Sequence, residues 1–262
     1  MKIIDWNDLA SGSYKNDTPI SSTIGVFDGI HLGHKVLLDA VLETATSKGY
    51  TSTVITFKEN PKAIMHRRSY HGDVLSLSQK LEILQNAGMD MLILIDFSGD
   101  FSRMGGKEFI GLLRDRGNLR YLAVGSDFRC GHNLDTDAQA IQAMNSVYGI
   151  PTEIVPPVLK EGSRVSSSKI RTAIVSGDLV EAAALLGRNL EIDLIGAPST
   201  PGEGWTAFDV GSIRRITPPS GRYPVILMDC STSERTECTI RVEDGVVFVP
   251  FGIGAYRVEF IA

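Results

Sequence analysis

Apolar positions along this chain change their rhythm once, near residue 190. Before that point, short apolar runs alternate with stretches of helical spacing. The runs "STIGVF" (22–27), "TSTVITF" (51–57), "MLILI" (91–95), "RYLAVG" (120–125) and "PTEIVP" (151–156) are bounded by Gly, Asn, Asp or Pro, as buried strands are. Between them, "HKVLLDAVLETATSK", "SLSQKLEILQNAG", "GKEFIGLLRDRG" and "DTDAQAIQAMNSVYG" repeat apolar residues three or four apart, and several end at Gly, the pattern of amphipathic helices. This β-α alternation predicts an α/β, Rossmann-like parallel sheet covered by helices, with right-handed crossovers and ligands at the carboxyl ends of the strands. Two more helical segments, "SSKIRTAIVSG" and "DLVEAAALLGRN", carry the same texture to residue 189.

From Leu190 onward the runs "EIDLIG", "TAFDVGSIRRI", "RYPVILMDC", "TECTIRVEDG" and "VVFVPFG" are short, alternating or β-rich, and separated by Gly, Pro and Ser turns. They predict a small all-β domain over 190–262, barrel or sandwich, after an α/β domain over 1–189. The loop-forming "GAPSTPGEGW" sits near the junction,.

Composition narrows the classes. A chain of 262 residues, 43% hydrophobic and 22% charged, can bury a large core. Its net charge of -5 provides no global basic surface for nucleic acid or anionic lipid, so any anion is held in a local pocket. The first twenty residues lack the apolar core of a signal peptide, and no eighteen apolar residues run together, so a cytoplasmic protein without membrane contact is expected. Cys130, Cys230 and Cys238 lack CxxC spacing and read as reduced structural thiols. The basic run "HRRSY" (66–70) reads as solvated surface.

Candidate chemistry concentrates in "TIGVFDGIHLGHKVLL" (23–38), where a strand runs through a Gly-rich turn into a helix. The unpaired N–H groups at the helix start and the helix dipole favour phosphate there. Gly25 allows close approach to the strand, Gly29 a tight turn, and Gly33 leaves room beside the helix start. His31 and His34 add two imidazole donors, able to stabilise charge building on a leaving pyrophosphate. The segment is neither GxxxxGK[ST] nor GxGxxG. His66, His71 and His132 form no metal-ligand spacing with it,.

"GVFDGIHLGH" closely resembles the HxGH signature of the nucleotidyltransferase superfamily, in the form found in bacterial FAD synthetases, the bifunctional riboflavin kinase/FMN adenylyltransferases. In the same order, "TFKENP" (56–61), "VGSDFRCG" (124–131), "RVSSSKIR" (164–171) and "ALLGR" (184–188) resemble that family's further motifs, over roughly residues 20–190. The resemblance implies FMN adenylyltransferase activity: the FMN phosphate attacks the α-phosphorus of ATP, bound with Mg²⁺ as Mg-ATP, and pyrophosphate leaves. It implies catalytic contacts to the triphosphate from His31, His34, Arg164, Ser167, Ser168 and Arg171. It also places Gly25, Phe27, Asp28 and Gly33 along the nucleotide, and Pro61, Asp127 and Phe128 toward the flavin. No protein metal ligand is implied.

This chain departs from the family pattern on the flavin side. Glu59 and Asn60 precede Pro61 where relatives carry PHP, and Cys130 replaces the second Phe of DFRFG. The 190–262 segment lacks the kinase module's GxVxxG and PTAN motifs, and "PPSGRYPV" (218–225) only faintly echoes its PxxGVYAV strand. A degenerate kinase remnant and a monofunctional enzyme are therefore expected. The alternatives are a nucleotidyltransferase acting on a non-flavin phosphate acceptor and a non-catalytic flavin or nucleotide sensor. Oligomeric state is left open.

Overall fold

The computed structural model describes residues 1–65, 70–97, 99–250, 252 and 254–261. Residues 66–69 of the basic run, and Phe251 within the last apolar run, lie outside the described residues. Contacts divide the chain into two compact units. One comprises Met1–Phe27, Gly33–Met65 and Leu81–Val158, and the other Asp28–Leu32, His66–Lys80 and Leu159–Ala262.

The first unit is built on six parallel strands: β1 Lys2–Asp5, β2 Ile20–Ile24, β3 Thr51–Phe57, β4 Met91–Ile95, β5 Leu119–Gly125 and β6 Thr152–Val155. Their order is β1-β4-β3-β2-β5-β6. All five predicted runs are strands, and β2 and β4 are buried at every position, as a sheet covered on both faces requires. The chain also forms α1 Trp6–Ser11, α2 Leu32–Lys48, α3 Leu77–Asn86, α4 Gly106–Asp115 and α5 Ala138–Ser146. Trp6, Phe109, Leu113 and Ile141 join Ile24, Ile93 and Leu122 in one apolar core.

Strand order reverses at β2, which has β3 on one side and β5 on the other. Such a reversal opens a crevice at the carboxyl ends of the two strands. Thr23 is level with Ala123, so the chain leaves β2 at Gly25 and β5 at Gly125 side by side.

The second unit carries an antiparallel sheet of β7 Glu191–Asp193, β8 Ser199–Gly202, β9 Trp205–Asp209, β10 Gly221–Asp229, β11 Arg235–Glu243, β12 Val246–Val249 and β13 Tyr256–Phe260. The order is β7-β13-β10-β11-β12-β9-β8. Val225, Leu227, Ile240, Val242, Val247 and Val258 alternate with more exposed neighbours and are fully or nearly fully buried, giving the sheet one apolar face. Two helices, α6 Ser167–Ser176 and α7 Leu179–Leu186, belong to this unit by compactness. Ser166 and Asp178 cap their starts, and left-handed Gly177 and Gly187 end them,. Among the described residues no helix follows Leu186, and no helix is long and apolar enough to cross a membrane.

Candidate active site

Within the first unit, the amide of Gly25 donates to Ile55 O at 3.1 Å, the last ladder bond before the chain turns out of β2. Phe27 has φ +51°, a conformation a bulky residue keeps only when its surroundings hold it. Its side chain is fully buried, and its ring lies 4.9 Å from that of His34. A Cβ at Gly25 would stand 3.1 Å from the Phe27 ring, so glycine at this position makes room for that ring. Gly33 and His34 sit in the first turn of α2, where free amides and the helix dipole favour an anion.

The neighbouring segment Asp28–Leu32 belongs to the second unit, and its turn is held through its carbonyls. Gly29 and Ile30 both have positive φ, +87° and +38°. Arg188 donates to Gly29 O at 2.6 Å and to Ile30 O at 3.0 Å, while the Ser167 hydroxyl donates to Asp28 O at 2.8 Å. His31 is 6% exposed. Burial holds its pKa down at about 4, and the charges of Arg164 and Arg188 push the same way. Near neutral pH the ring is therefore an uncharged imidazole,.

Behind this turn lies the Asp28 carboxylate, which accepts from Val74 N at 2.9 Å, Leu75 N at 3.2 Å and Arg171 Nη2. Burial raises its pKa and Arg171 opposes that rise. The donors around it are those an ionised carboxylate accepts. Arg171 also donates to Gly72 O at 3.0 Å and to the Tyr70 hydroxyl at 3.3 Å. Its guanidinium is thus engaged within the protein, with its side chain 11% exposed. Lys80 is buried and its pKa is lowered by that burial, with Asp28 and Asp73 pulling it back.

The remaining expected residues are placed as follows. Arg164 and Ser168 are exposed on either side of the capping Ser166, whose hydroxyl accepts from Lys169 N at 3.2 Å. Asp127 is exposed after β5, and Phe128 packs against the apolar core of the first unit. Pro61 is buried and opens the short helix Pro61–Met65. Asn60 Oδ1 accepts from Lys62 N at 3.1 Å, so the departure from PHP supplies an N-cap ahead of a helix-starting proline. Cys130 packs against the same core, and burial pushes its thiol up to about 12.

Structure thus brings Asp28, Ser167 and Arg171 together in one unit, and Gly25, Phe27 and His34 in the other. It adds Tyr70, Gly72, Lys80 and Arg188, which carried no role in the sequence reading. Two signals were available. Arg188 closes "ALLGR", and Lys80 falls on the apolar side of α3, at spacing with Leu77 and Leu84.

Comparison with known proteins gives this arrangement its relatives. The bifunctional riboflavin kinase/FMN adenylyltransferase of Escherichia coli is 28% identical over 207 residues, 78% of this chain and 66% of the relative. The Bacillus subtilis protein of the same name is 29% identical over 208 residues, 77% of this chain and 65% of the relative. The chain thus spans just under two thirds of these relatives' length. A crystal structure titled macrolide-efflux protein from Streptococcus pneumoniae superposes with TM-score 0.79 at 23% identity, covering 99% of this chain and 90% of that one, a likeness of fold. The sequence model of the FAD synthetase family matches residues 13–169, more than half of the chain, and the chain belongs to the FAD synthetase family.

Proposed function

We propose that this chain is an FMN adenylyltransferase, forming FAD and pyrophosphate from FMN and ATP. The observation that carries the proposal is the turn at the carboxyl end of β2. It stands at the strand-order reversal, opens helix α2 and bears His31 and His34. In the reaction a phosphate oxygen of FMN forms a bond to the α-phosphorus of ATP, and the bond to the β-phosphate oxygen breaks. A phosphate monoester is already deprotonated near neutral pH, so the protein's work is orientation and charge neutralisation.

The chain's own groups suit that work. The amides at the start of α2 and the neutral imidazole of His31 are assigned to the triphosphate. His34, on the same helix turn, supplies a second imidazole. Arg164 and Ser168, both exposed, are assigned to phosphate oxygens. Ser167 and Arg171 act from behind, through Asp28. These groups are anion donors rather than magnesium ligands, which suits a cation carried on the phosphates of Mg-ATP. Asp127 and Phe128, beyond β5, and Pro61, beyond β3, are assigned to the flavin side.

The division of labour proposed is adenylyl transfer by residues 1–189, with residues 190–262 a kinase remnant lacking activity of its own. Incubation of the protein with Mg-ATP and either FMN or riboflavin, with separation of the flavins, tests this. FAD from FMN and no FMN from riboflavin is the expected result. FMN from riboflavin overturns the monofunctional assignment. Absence of product from both, with pyrophosphate released from ATP when another phosphate acceptor is supplied, overturns the flavin assignment, and the altered residues Asn60 and Cys130 are where that acceptor difference would originate.

A further inference from the structure

Residues 70–79 carry an unusual density of bonds in two directions. Toward the connection between β9 and β10, Asp73 N donates to Arg214 O at 2.8 Å and Ile216 N donates to Asp73 O at 3.1 Å, an isolated parallel bridge. Gly72 has φ +111°, and a Cβ on it would lie 2.8 Å from Ile216 N and 2.9 Å from Arg214 O. Only glycine allows that approach. Further along, Ser76 and Ser78 donate to Asp193 Oδ2 at 2.6 and 2.9 Å, and Gln79 donates to Glu191 Oε1 at 2.8 Å. Toward the nucleotide turn, the amides of Val74 and Leu75 donate to Asp28, while Gly72 O receives Arg171 Nε.

Successive backbone groups thus serve opposite partners: residue 73 serves the β9–β10 connection, and residues 72, 74 and 75 serve the Asp28–Arg171 pair. Asp28 is 4% exposed. A carboxylate so buried cannot exchange those two amides for water without a large penalty, so the turn carrying Asp28 follows the position of residues 74 and 75.

We propose that residues 72–76 are a positioning strap, through which Arg214–Ile216, in the connection between β9 and β10, sets the geometry of the Asp28–His31 turn for adenylyl transfer. This rests on the function proposed above, and it makes the all-β part of the chain a working support of the active site rather than an inert remnant. Gly72, Asp73 and Ile216 are positioning residues that act through Asp28.

The test uses the full chain with Gly72→Ala and the milder Asp73→Asn, which keeps an acceptor for Tyr70 but removes the charge paired with Arg215 and leaves the backbone bridge. Val247→Ala is the control, since it truncates a fully buried side chain of β12 paired with β9 and β11, outside the strap. Misplacement of reacting groups by about an ångström costs on the order of 100-fold. The expectation is therefore a kcat lowered about 10- to 100-fold in Gly72→Ala and several-fold in Asp73→Asn, with KM for ATP changed far less. Amide exchange of peptides spanning 72–76 and 26–32 should quicken in both. Val247→Ala should lower the unfolding temperature and leave kcat and those exchange rates at the wild-type level while folded.

Wild-type kcat and exchange in both strap variants overturns the proposal, as does an equal kcat loss in folded Val247→Ala. Wild-type protein that makes no FAD defeats the functional assignment instead, and the exchange rates then decide the coupling alone. If Gly72→Ala does not fold, Asp73→Asn carries the test.

Discussion

His31 shows how one side chain links stability to chemistry. Its pKa in the folded chain is about 4, against 6.5 for a free imidazole. Between those values the unfolded state binds more protons, so stability rises with pH through that window and is lost as pH falls through it. The full contribution is present above about pH 6.5 and is on the order of 3 kcal/mol. His31→Asn should flatten this dependence, which urea unfolding at about pH 5 and about pH 7.5 measures, and should lower FAD formation strongly at either pH. Similar dependence in wild type and variant would remove His31 as the source. The residue types His, Gly and Arg were legible from the motif. That Gly25 clears space for the Phe27 ring, and that Arg188 closes on the carbonyls of Gly29 and Ile30, was not, because both depend on where a turn directs its side chains.

At the scale of elements, the local code is strong where an element is long and buried. Strands Thr51–Phe57 and Met91–Ile95 coincide with their apolar runs, and α6 begins at Ser167 as "SSKIRTAIVSG" indicates. Weak signals belong to short or edge elements. Strand Lys2–Asp5 buries only Ile4, and α1 is one and a half turns long with Trp6 and Leu9 as its inward residues, too few for periodicity to register. Strand Tyr256–Phe260 alternates strictly, with Tyr256, Val258 and Phe260 buried, and its pattern was available. The serines at the start of α6 divide their work: Ser166 caps the helix, whereas Ser167, its first residue, holds Asp28. Ser166→Ala should therefore cost about 1 kcal/mol of stability, read by denaturant unfolding. Ser167→Ala should instead lower kcat with little change in unfolding midpoint. The reverse assignment of the two effects would contradict this division.

For the whole molecule, the two compact units interleave along the chain, with Asp28–Leu32 and His66–Lys80 grouped with the carboxyl-terminal part. A fragment ending at residue 189 removes Asp193 from Ser76 and Ser78, Glu191 from Gln79, and Arg214–Ile216 from residues 72–73. It should unfold at a lower temperature than the full chain, and should form FAD slowly or not at all, as calorimetry and the flavin assay would show. A fragment as stable and active as the full chain would make the all-β part dispensable.

Local order alone carried the α/β alternation, the change of texture at residue 190, the Gly-rich strand-to-helix turn and the family. Periodicity, capping residues and glycines act over a few positions, and the motifs are contiguous. Tertiary structure decided which of those residues touch one another. Asp28 meets Val74, Leu75 and Arg171, and Asp73 meets Arg215, partners separated by up to about 140 positions along the chain. No local pattern encodes such a meeting, because it forms only when burial forces polar groups from distant segments to satisfy one another.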